Sequence, residues 1–226
     1  MKKLPYQQQL DSLISSLNGA RPTLLLHACC GPCSSYVIEY LSEFFDITIL
    51  YYNPNIFPRD EYERRLCELK TLLPRFAAAI KNNVRLVEQE YDERAFYEAI
   101  GIAEEPALAY EAEKGERCRR CYQFRLRRAW QYAADHNFDY FCTTLSISPF
   151  KDAQKINEIG MALARSFDGE TLGAAKKTQW LPSDFKKKGG FKRSLELSEE
   201  YGLYRQQYCG CVYSKQNTEK MREERV

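Results

Sequence analysis

Histidine is scarce in this sequence: only two of the 226 residues are histidines, whereas nine are cysteines. A metal site in such a chain must depend on thiolates, which select zinc or iron–sulfur clusters over calcium or magnesium. Long apolar runs are also missing. No stretch approaches the roughly 18 residues needed to span a bilayer, and the first residues, MKKLPYQQQLDSL, lack the apolar core of a secretory signal. We therefore expect a cytoplasmic protein with no membrane partner.

The two halves of the chain differ in charge, although the net charge is only +2. Residues 1–113 carry 11 basic and 17 acidic side chains, whereas residues 114–226 carry 22 and 14. A basic second half suits a polyanion that docks on one face, although a solvated surface is the commoner reason for a basic run. With 44% hydrophobic residues, the chain can bury a core, which excludes the disordered and fibrous classes.

Short apolar strands alternate with amphipathic helices along the sequence. This alternation predicts an α/β fold with a mostly parallel sheet flanked by helices, whose ligands bind beyond the carboxyl ends of the strands. No linker divides the chain, so we expect residues 1–226 to form a single domain, with the cysteine-bearing C-terminal segment folded back onto it. The strands are predicted at residues 23–28, 47–52, 84–87, 138–143 and 178–181.

Seven of the nine cysteines fall into three tight groups. Clustered thiols in a cytoplasmic protein indicate metal or redox chemistry, and a spacing of one or two residues lets two thiolates bind one metal from a turn. One group directly follows the first predicted strand, where α/β proteins place active sites. Cys67 lies in a predicted helix and Cys142 in an apolar strand, so we interpret both as small buried residues. The three groups are Cys29, Cys30 and Cys33; Cys118 and Cys121; and Cys209 and Cys211.

Two kinds of metal site fit this spacing. A closed zinc site with four cysteine ligands, which fixes the C-terminal tail, is the plainer alternative. Such a site needs only four thiolates, however, and seven are grouped here. The surplus favours an iron–sulfur cluster together with an extra metal or a reactive thiol.

Six motifs follow one another along most of the chain. They are HACCGPCS at residues 27–34, YNPNI at 52–56 followed by Glu61-Tyr62, GERCRRCY at 115–122 leading to Arg125-Leu126, TTLSISPFK at 143–151, SDFKKKGG at 183–190, and YRQQYCGCVYS at 204–214. In this combination and order the chain resembles the cobalamin-independent epoxyqueuosine reductases, the QueH family. Six linked motifs are far more specific than a single C-x-x-C pair.

The resemblance implies a Rossmann-like fold of the HUP type (adenine nucleotide alpha hydrolase-like), with a cysteine-rich metal site at the carboxyl ends of the strands. It implies a [4Fe-4S] cluster beside an additional mononuclear metal ion, with iron expected. The reaction it implies is deoxygenation of epoxyqueuosine to queuosine at the wobble position of tRNA, the final step of queuosine biosynthesis. Cys33 matches a family position that can also be Asp, which suits a ligand of the second ion. The other implied ligands, not divided between cluster and ion, are Cys29, Cys30, Cys118, Cys121, Cys209 and Cys211.

Turning an epoxide into an alkene needs two electrons, protons that carry the oxygen away as water, and an electrophile. A Lewis-acidic iron can bind the epoxide oxygen while a neighbouring cluster passes single electrons, which an unidentified electron donor must supply. The catalytic candidates are Cys33, His27 and Tyr52, with Tyr208 or a metal-bound water as further proton sources. His27 ends a strand and is equally well explained as a structural residue.

Two basic runs flank the metal-site motifs, at residues 114–128 and 176–193. Such cations can hold a tRNA backbone while the target base is turned out and stacked on an aromatic ring. The predicted tRNA-binding residues are Arg119, Arg120, Lys151, Lys186, Lys187 and Lys188. The aromatic candidates, each also compatible with ordinary core packing, are Tyr51, Tyr52, Tyr122, Phe150 and Tyr213.

Two other functions stay open from the residues alone. A tRNA sulfur-transfer or adenylating enzyme of related fold would have a phosphate-cradling Ser-Gly-Gly loop after the first strand, where this chain has CCGPC at residues 29–33. A zinc-stabilised nucleic-acid binding module would be colourless and inactive.

Overall fold

A computed structural model describes residues 4–166 and 177–223 and contains one five-stranded sheet within them. Its strands are β1 (Thr23–Ala28), β2 (Asp46–Tyr51), β3 (Arg85–Glu88), β4 (Tyr140–Thr143) and β5 (Gln179–Trp180). They lie in the order β3-β2-β1-β4-β5, and every neighbouring pair is parallel. The predicted α/β fold with a parallel, Rossmann-like sheet is therefore confirmed.

Helices precede, separate and follow the strands. Within the two described ranges, none of them is long and apolar enough to cross a membrane. Short 3₁₀ turns occupy Leu73–Arg75, Pro106–Tyr110 and Thr144–Ile147. The α-helices are α1 (Tyr6–Ser16), α2 (Gly31–Leu41), α3 (Arg59–Leu72), α4 (Ala77–Lys81), α5 (Glu93–Ile100), α6 (Glu116–Asp135), α7 (Ala153–Arg165), α8 (Gly190–Glu200) and α9 (Val212–Glu223).

Strand β1 is the centre of the sheet. It pairs with β2 on one side and β4 on the other. Leu24, Leu25 and Leu26 have no exposed surface, because both faces of a parallel sheet of this kind are covered by helices. This burial explains why β1 is an unbroken apolar run rather than an alternating one.

The order of the strands reverses beside β1. The chain passes from β1 to β2 and β3 on one side, and then crosses to β4 and β5 on the other side. In parallel α/β sheets such a reversal opens a crevice beyond the carboxyl ends of the two strands that flank it, here β1 and β4. Cys29 and Cys30 directly follow β1 and precede α2, so they lie at this crevice.

The segment between α8 and α9 runs back to the loop after β2. The backbone N–H of Phe57 donates to the carbonyl oxygen of Gly210 at 2.8 Å. Gly210 has a φ of 133°, a conformation that favours glycine, and a Cβ atom there would lie 3.1 Å from Cγ1 of Ile56. Glycine between Cys209 and Cys211 thus lets both cysteines approach this loop.

The two isolated cysteines have different surroundings. Cys142 is fully buried in β4, as predicted. Cys67 is exposed on α3, so the prediction that it is buried is wrong. Helix α3 buries a stripe that includes Leu66 and Leu69, and Cys67 follows Leu66 by one position, which turns its side chain by about 100° around the helix axis.

Candidate active site

The loop after β1 brings Cys29, Cys30 and Cys33 together, and we call these three the first cysteine group. Their Sγ atoms all lie within 4.8 Å of one another, and Sγ of Cys29 is 3.8 Å from Sγ of Cys30. Cys29 and Cys30 are buried, whereas Cys33, in the first turn of α2, is half-buried. In the described part of the chain, no other set of three His, Cys, Asp or Glu side chains meets this closely.

The three thiols of the first cysteine group differ in pKa, that is, in how readily each loses its proton. Hydrogen bonds from Cys30 and Cys33 stabilise the Cys29 thiolate and hold the pKa of Cys29 well below its usual range. Donating to Cys29 in turn raises the pKa of Cys30 to about 12 and raises the pKa of Cys33. One thiolate therefore forms readily here, and a bound cation would favour the loss of further protons, because metal ligands must be deprotonated.

The other four grouped cysteines, Cys118, Cys121, Cys209 and Cys211, form what we call the second cysteine group. The first two lie at the start of α6, and the last two lie just before α9. A hydrogen bond from Cys211 holds the pKa of Cys209 well below its usual range, although burial opposes this. Burial, followed by the charges of Cys209 and Cys121, raises the pKa of Cys118 to about 11. Cys121 and Cys211 also belong to one cluster of packed buried side chains, so the two distant pairs of thiols are neighbours in space.

A cavity of about 550 Å³ joins the two cysteine groups. Cys29 and Cys33 line it from the first group and Cys209 from the second. A cavity of this size suits a small organic ligand or a nucleobase. Polar, charged and aromatic residues that also line it include Glu113, Ser148, Phe150, Lys151, Phe191, Arg205, Gln206, Tyr208 and Lys220.

Two buried arginines, which were not among the residues predicted from the sequence to form the site, lie beside the cysteines. Arg125 is 1% exposed, and its Nη2 donates to Oδ1 of Asn53 at 2.5 Å. Its positive charge favours the thiolate forms of Cys29 and Cys121, although burial is the larger effect at Cys121 and raises the pKa of that thiol. Arg65 is fully buried, and its charge also lowers the pKa of Cys29. Both cations therefore stabilise thiolates.

Lys151 is also buried within the site. Its ammonium group donates to Sγ of Cys209, and only 8% of the residue is exposed. Burial alone would lower the pKa of Lys151, but Cys209, Tyr122 and Glu113 together outweigh burial and hold the pKa above its usual range. The predicted role of Lys151 in tRNA binding stays a prediction, and its present contact is with a cysteine.

His27 and Tyr52 lie outside the lining of this cavity. His27 is fully buried; its Nδ1 is 2.8 Å from Oγ1 of Thr143, and its Nε2 is 3.0 Å from the carbonyl oxygen of Tyr52. Burial first, and then the charge of Arg125, lower the pKa of His27 to about 3. The half-buried ring of Tyr52 packs at 5.7 Å from that of Phe124. Neither side chain is placed to touch a substrate in the cavity.

Tyr208, the further proton source considered from the sequence, does line the cavity. Its hydroxyl donates to the carbonyl oxygen of Phe57 at 2.5 Å. Burial raises the pKa of Tyr208 to about 12. The hydroxyl is therefore neutral and already engaged with the backbone.

Most of the cations predicted to bind tRNA are at least partly exposed and have acidic partners. Arg119 pairs with Glu116 at 2.6 Å and Arg120 with Glu105 at 2.7 Å. Lys186 pairs with Asp184 at 2.8 Å, Lys188 pairs with Asp11 at 2.7 Å, and Lys187 is exposed. Exposed ion pairs such as Arg119–Glu116 and Lys188–Asp11 are weak, so a phosphate can replace the carboxylate there, whereas the side chains of Lys186 and Asp184 are only 25% and 16% exposed.

The donor set fits a thiolate-bound metal centre. All nine cysteines are free thiols, three of the seven grouped ones line the cavity, and the buried cations Arg65, Arg125 and Lys151 act on these groups. Thiolates at this density suit zinc or iron–sulfur clusters and do not suit calcium or magnesium. The arrangement can therefore hold a redox centre next to a space for an organic substrate.

Comparison with known proteins matches this arrangement to one family. The family model described as Epoxyqueuosine reductase QueH matches residues 24–217, a range that includes all seven grouped cysteines. A relative named epoxyqueuosine reductase QueH from Streptococcus pyogenes serotype M1 is 39% identical over 94% of this chain and 79% of its own length. Relatives of the same name from Staphylococcus epidermidis and Staphylococcus aureus are 38% and 37% identical, each over 94% of this chain and 85% of their own length. The chain belongs to the QueH family of epoxyqueuosine reductases.

Proposed function

We propose that this protein is an oxidoreductase that removes the epoxide oxygen of epoxyqueuosine at the wobble position of tRNA and so makes queuosine. Two electrons and two protons convert the epoxide into an alkene and one molecule of water. The observation that carries this proposal is the cavity lined by cysteines of both groups, in a chain of the QueH family.

The seven grouped thiols are the proposed ligands of a [4Fe-4S] cluster and of an adjacent mononuclear metal ion, for which iron is expected. When bound, such a centre supplies electrons one at a time and polarises the C–O bond of the epoxide. Free thiols persist in a reducing compartment, so the cytoplasm is the proposed location. The electrons come from a separate donor.

The chain's own side chains orient the substrate and hold a proton. Gln206 lines the cavity, and its Nε2 donates to Sγ of Cys30 at 3.0 Å. Its Oε1 is buried and has no hydrogen-bond partner among the described residues. A buried acceptor of this kind needs a donor, and a hydroxyl or amine of the substrate supplies one.

Glu113, which no sequence motif singled out, is the proposed acid. It is half-buried and lines the cavity. Burial first, and then the charge of Cys209, raise the pKa of Glu113, against the opposing charge of Lys151. The carboxyl oxygens are thus the proposed source of a proton for the departing oxygen, because a general acid needs a pKa near the working pH.

Contact with tRNA is the third part of the proposal. Arg119, Arg120 and the lysines at residues 186–188 are the proposed contacts for phosphates of the anticodon arm. Arg125, in the same basic run as the first two, is buried beside the cysteines and is not available to a phosphate.

Anaerobic purification followed by reaction with tRNA tests the function. The tRNA carries epoxyqueuosine, dithionite is the reductant, and mass spectrometry of the digested tRNA reports the product. The expected result is a brown protein that contains iron and sulfide, with loss of one oxygen from the modified nucleoside. A sample with dithionite and no protein is the control. A colourless protein that contains zinc and leaves the nucleoside unchanged would contradict the proposal.

A further inference from the structure

Phe150 is an exposed aromatic residue at the cavity. Among the described residues, four large hydrophobic side chains are exposed, and of these only Phe150 lines the cavity that reaches the cysteines. Its exposed fraction is 67%. A single exposed apolar side chain is common on protein surfaces. The feature that needs an explanation is the position of Phe150 at the cavity.

The backbone around Phe150 is fixed, although its ring is exposed. Ile147 before it and Lys151 after it are 1% and 8% exposed. The N–H of Phe150 donates to Oγ of Ser148 at 3.3 Å, and the N–H of Lys151 donates to the carbonyl oxygen of Ser148 at 3.2 Å. A ring carried by a turn with a fixed backbone needs little further ordering of the chain when a ligand binds.

The other aromatic rings of the cavity already have partners. The guanidinium carbon of Arg65 lies 5.3 Å from the ring centre of Tyr208, and that of Arg205 lies 6.0 Å from the ring centre of Phe191. Of the five aromatic candidates named from the sequence, Tyr51, Tyr122 and Tyr213 are buried in the protein interior. Phe150 is therefore the candidate with a ring available at the cavity.

The charges near Phe150 suit an RNA ligand. Arg205 and Lys220 line the cavity and are exposed, whereas Glu113 is the acidic residue of the lining. Positive side chains and an aromatic ring in one cavity are the usual combination for single-stranded nucleic acid, since the cations contact phosphates and a base stacks on the ring. Bases of single-stranded loops can turn outward and expose both faces.

We propose that the nucleobase that bears the epoxide stacks on the ring of Phe150, so that its substituent enters the cavity toward Cys29, Cys33 and Cys209. This inference rests on the proposed function, because it takes the modified wobble base as the ligand. Phe150 is thus a substrate-positioning residue, and it gains the apolar contact that its exposed ring lacks.

Steady-state kinetics of two variants test the stacking. Phe150→Leu keeps an apolar side chain but has no π face, whereas Phe150→Trp has a larger π face than phenylalanine. With dithionite as reductant and tRNA carrying epoxyqueuosine as substrate, the leucine variant is expected to raise KM about 5- to 100-fold, the range typical of losing one base–aromatic stack. The tryptophan variant is expected to stay close to the wild type. Because dithionite replaces the natural donor, a defect in this assay does not report docking of a donor protein.

Tyr110→Leu is the matched control, since Tyr110 is 88% exposed and lies outside the cavity lining. Its KM is expected to equal that of the wild type. An unchanged KM in Phe150→Leu would overturn the inference. Equal defects in Phe150→Leu and Phe150→Trp would overturn it as well, because they would indicate a need for shape rather than for a π face.

Fluorescence of Phe150→Trp separates this inference from the proposed function. Both native tryptophans, Trp130 and Trp180, are buried, so the added indole is the exposed one. Its emission is expected to be quenched on titration with the epoxyqueuosine-containing tRNA, and much less with the same tRNA made abasic at the wobble position. If the wild type removed no oxygen, the proposed function would fail, yet this quenching would still support stacking. Equal quenching by both tRNAs, or none, would overturn the stacking.

Discussion

The guanidinium group of Arg65 on α3 donates from Nη1 to the carbonyl oxygen of Cys209 at 3.2 Å, which joins residues 144 positions apart. Its Nη2 is 3.4 Å from the carbonyl oxygen of Tyr208, and its Nε donates to Glu61 at 2.7 Å. Arg65 is fully buried, so these bonds replace its contact with water. The arginine thereby fixes the backbone that carries half of the second cysteine group.

Replacing Arg65 with methionine should destabilise the protein strongly. The change leaves the nearly buried carboxylate of Glu61, 10% exposed, without its cation, and breaking a buried ion pair in this way costs about 3–5 kcal/mol. Urea unfolding of the metal-free protein measures this loss. Iron content after anaerobic reconstitution should fall as well, because the Cys209 backbone loses its support.

Arg59→Met is the control for this change on the same helix. Arg59 pairs with Glu63 at the same i,i+4 spacing, but their side chains are 69% and 57% exposed. Exposed pairs contribute at most about 1 kcal/mol, so this variant should unfold almost as the wild type does. Similar losses for both variants would show that burial of the Arg65 pair is unimportant.

Replacing Cys118 or Cys211 with serine should remove most of the bound iron and sulfide and abolish turnover. Each belongs to the second cysteine group, and a hydroxyl is a poor substitute for a thiolate with iron. Metal analysis and the visible spectrum of the anaerobic protein measure the effect. Cys67→Ser is the matched control, because Cys67 is exposed on α3. This substitution should leave the metal content unchanged. Full iron content in Cys118→Ser would exclude Cys118 as a ligand.

The fold was predictable because its signals are local. The apolar run of β1 and the turn-forming CCGPC that follows it are adjacent in sequence, so both the strand and the first cysteine group could be predicted. The approach of Cys209 to Lys151 could not, because it depends on how the C-terminal segment packs. That residues 1–226 form one domain stays a prediction.

The basic run at residues 114–128 shows where charge alone misleads. Arg117, Cys121 and Arg125 are four residues apart and share one helix face, and all three are buried. Arg119 lies on the exposed side of α6 and pairs with Glu116 there. The four-residue spacing from a cysteine was the available signal that two of these arginines face the interior rather than a phosphate.

Replacing Glu113 with glutamine should lower kcat by about 100-fold, the contribution typical of a general acid, with little change in KM for tRNA. Glutamine keeps the size of the side chain but cannot give up a proton. Single-turnover kinetics with dithionite measure the chemical step directly. Glu104→Gln, at an exposed position outside the cavity lining, should behave as the wild type. An unchanged rate in Glu113→Gln would show that another group is the acid.

Replacing His27 with glutamine should weaken folding more than chemistry. The carbonyl of Tyr52 can only accept, so Nε2 of His27 carries the proton and Nδ1 accepts from the hydroxyl of Thr143. Leaving these buried groups unsatisfied costs about 1–3 kcal/mol, measured by urea unfolding. Thr143→Val removes one of the same bonds and should also destabilise. At urea concentrations below the unfolding transition, kcat of His27→Gln should stay within about tenfold of the wild-type kcat. Losing a general acid would lower kcat further. A far larger loss of kcat in the folded variant would make His27 part of the chemistry.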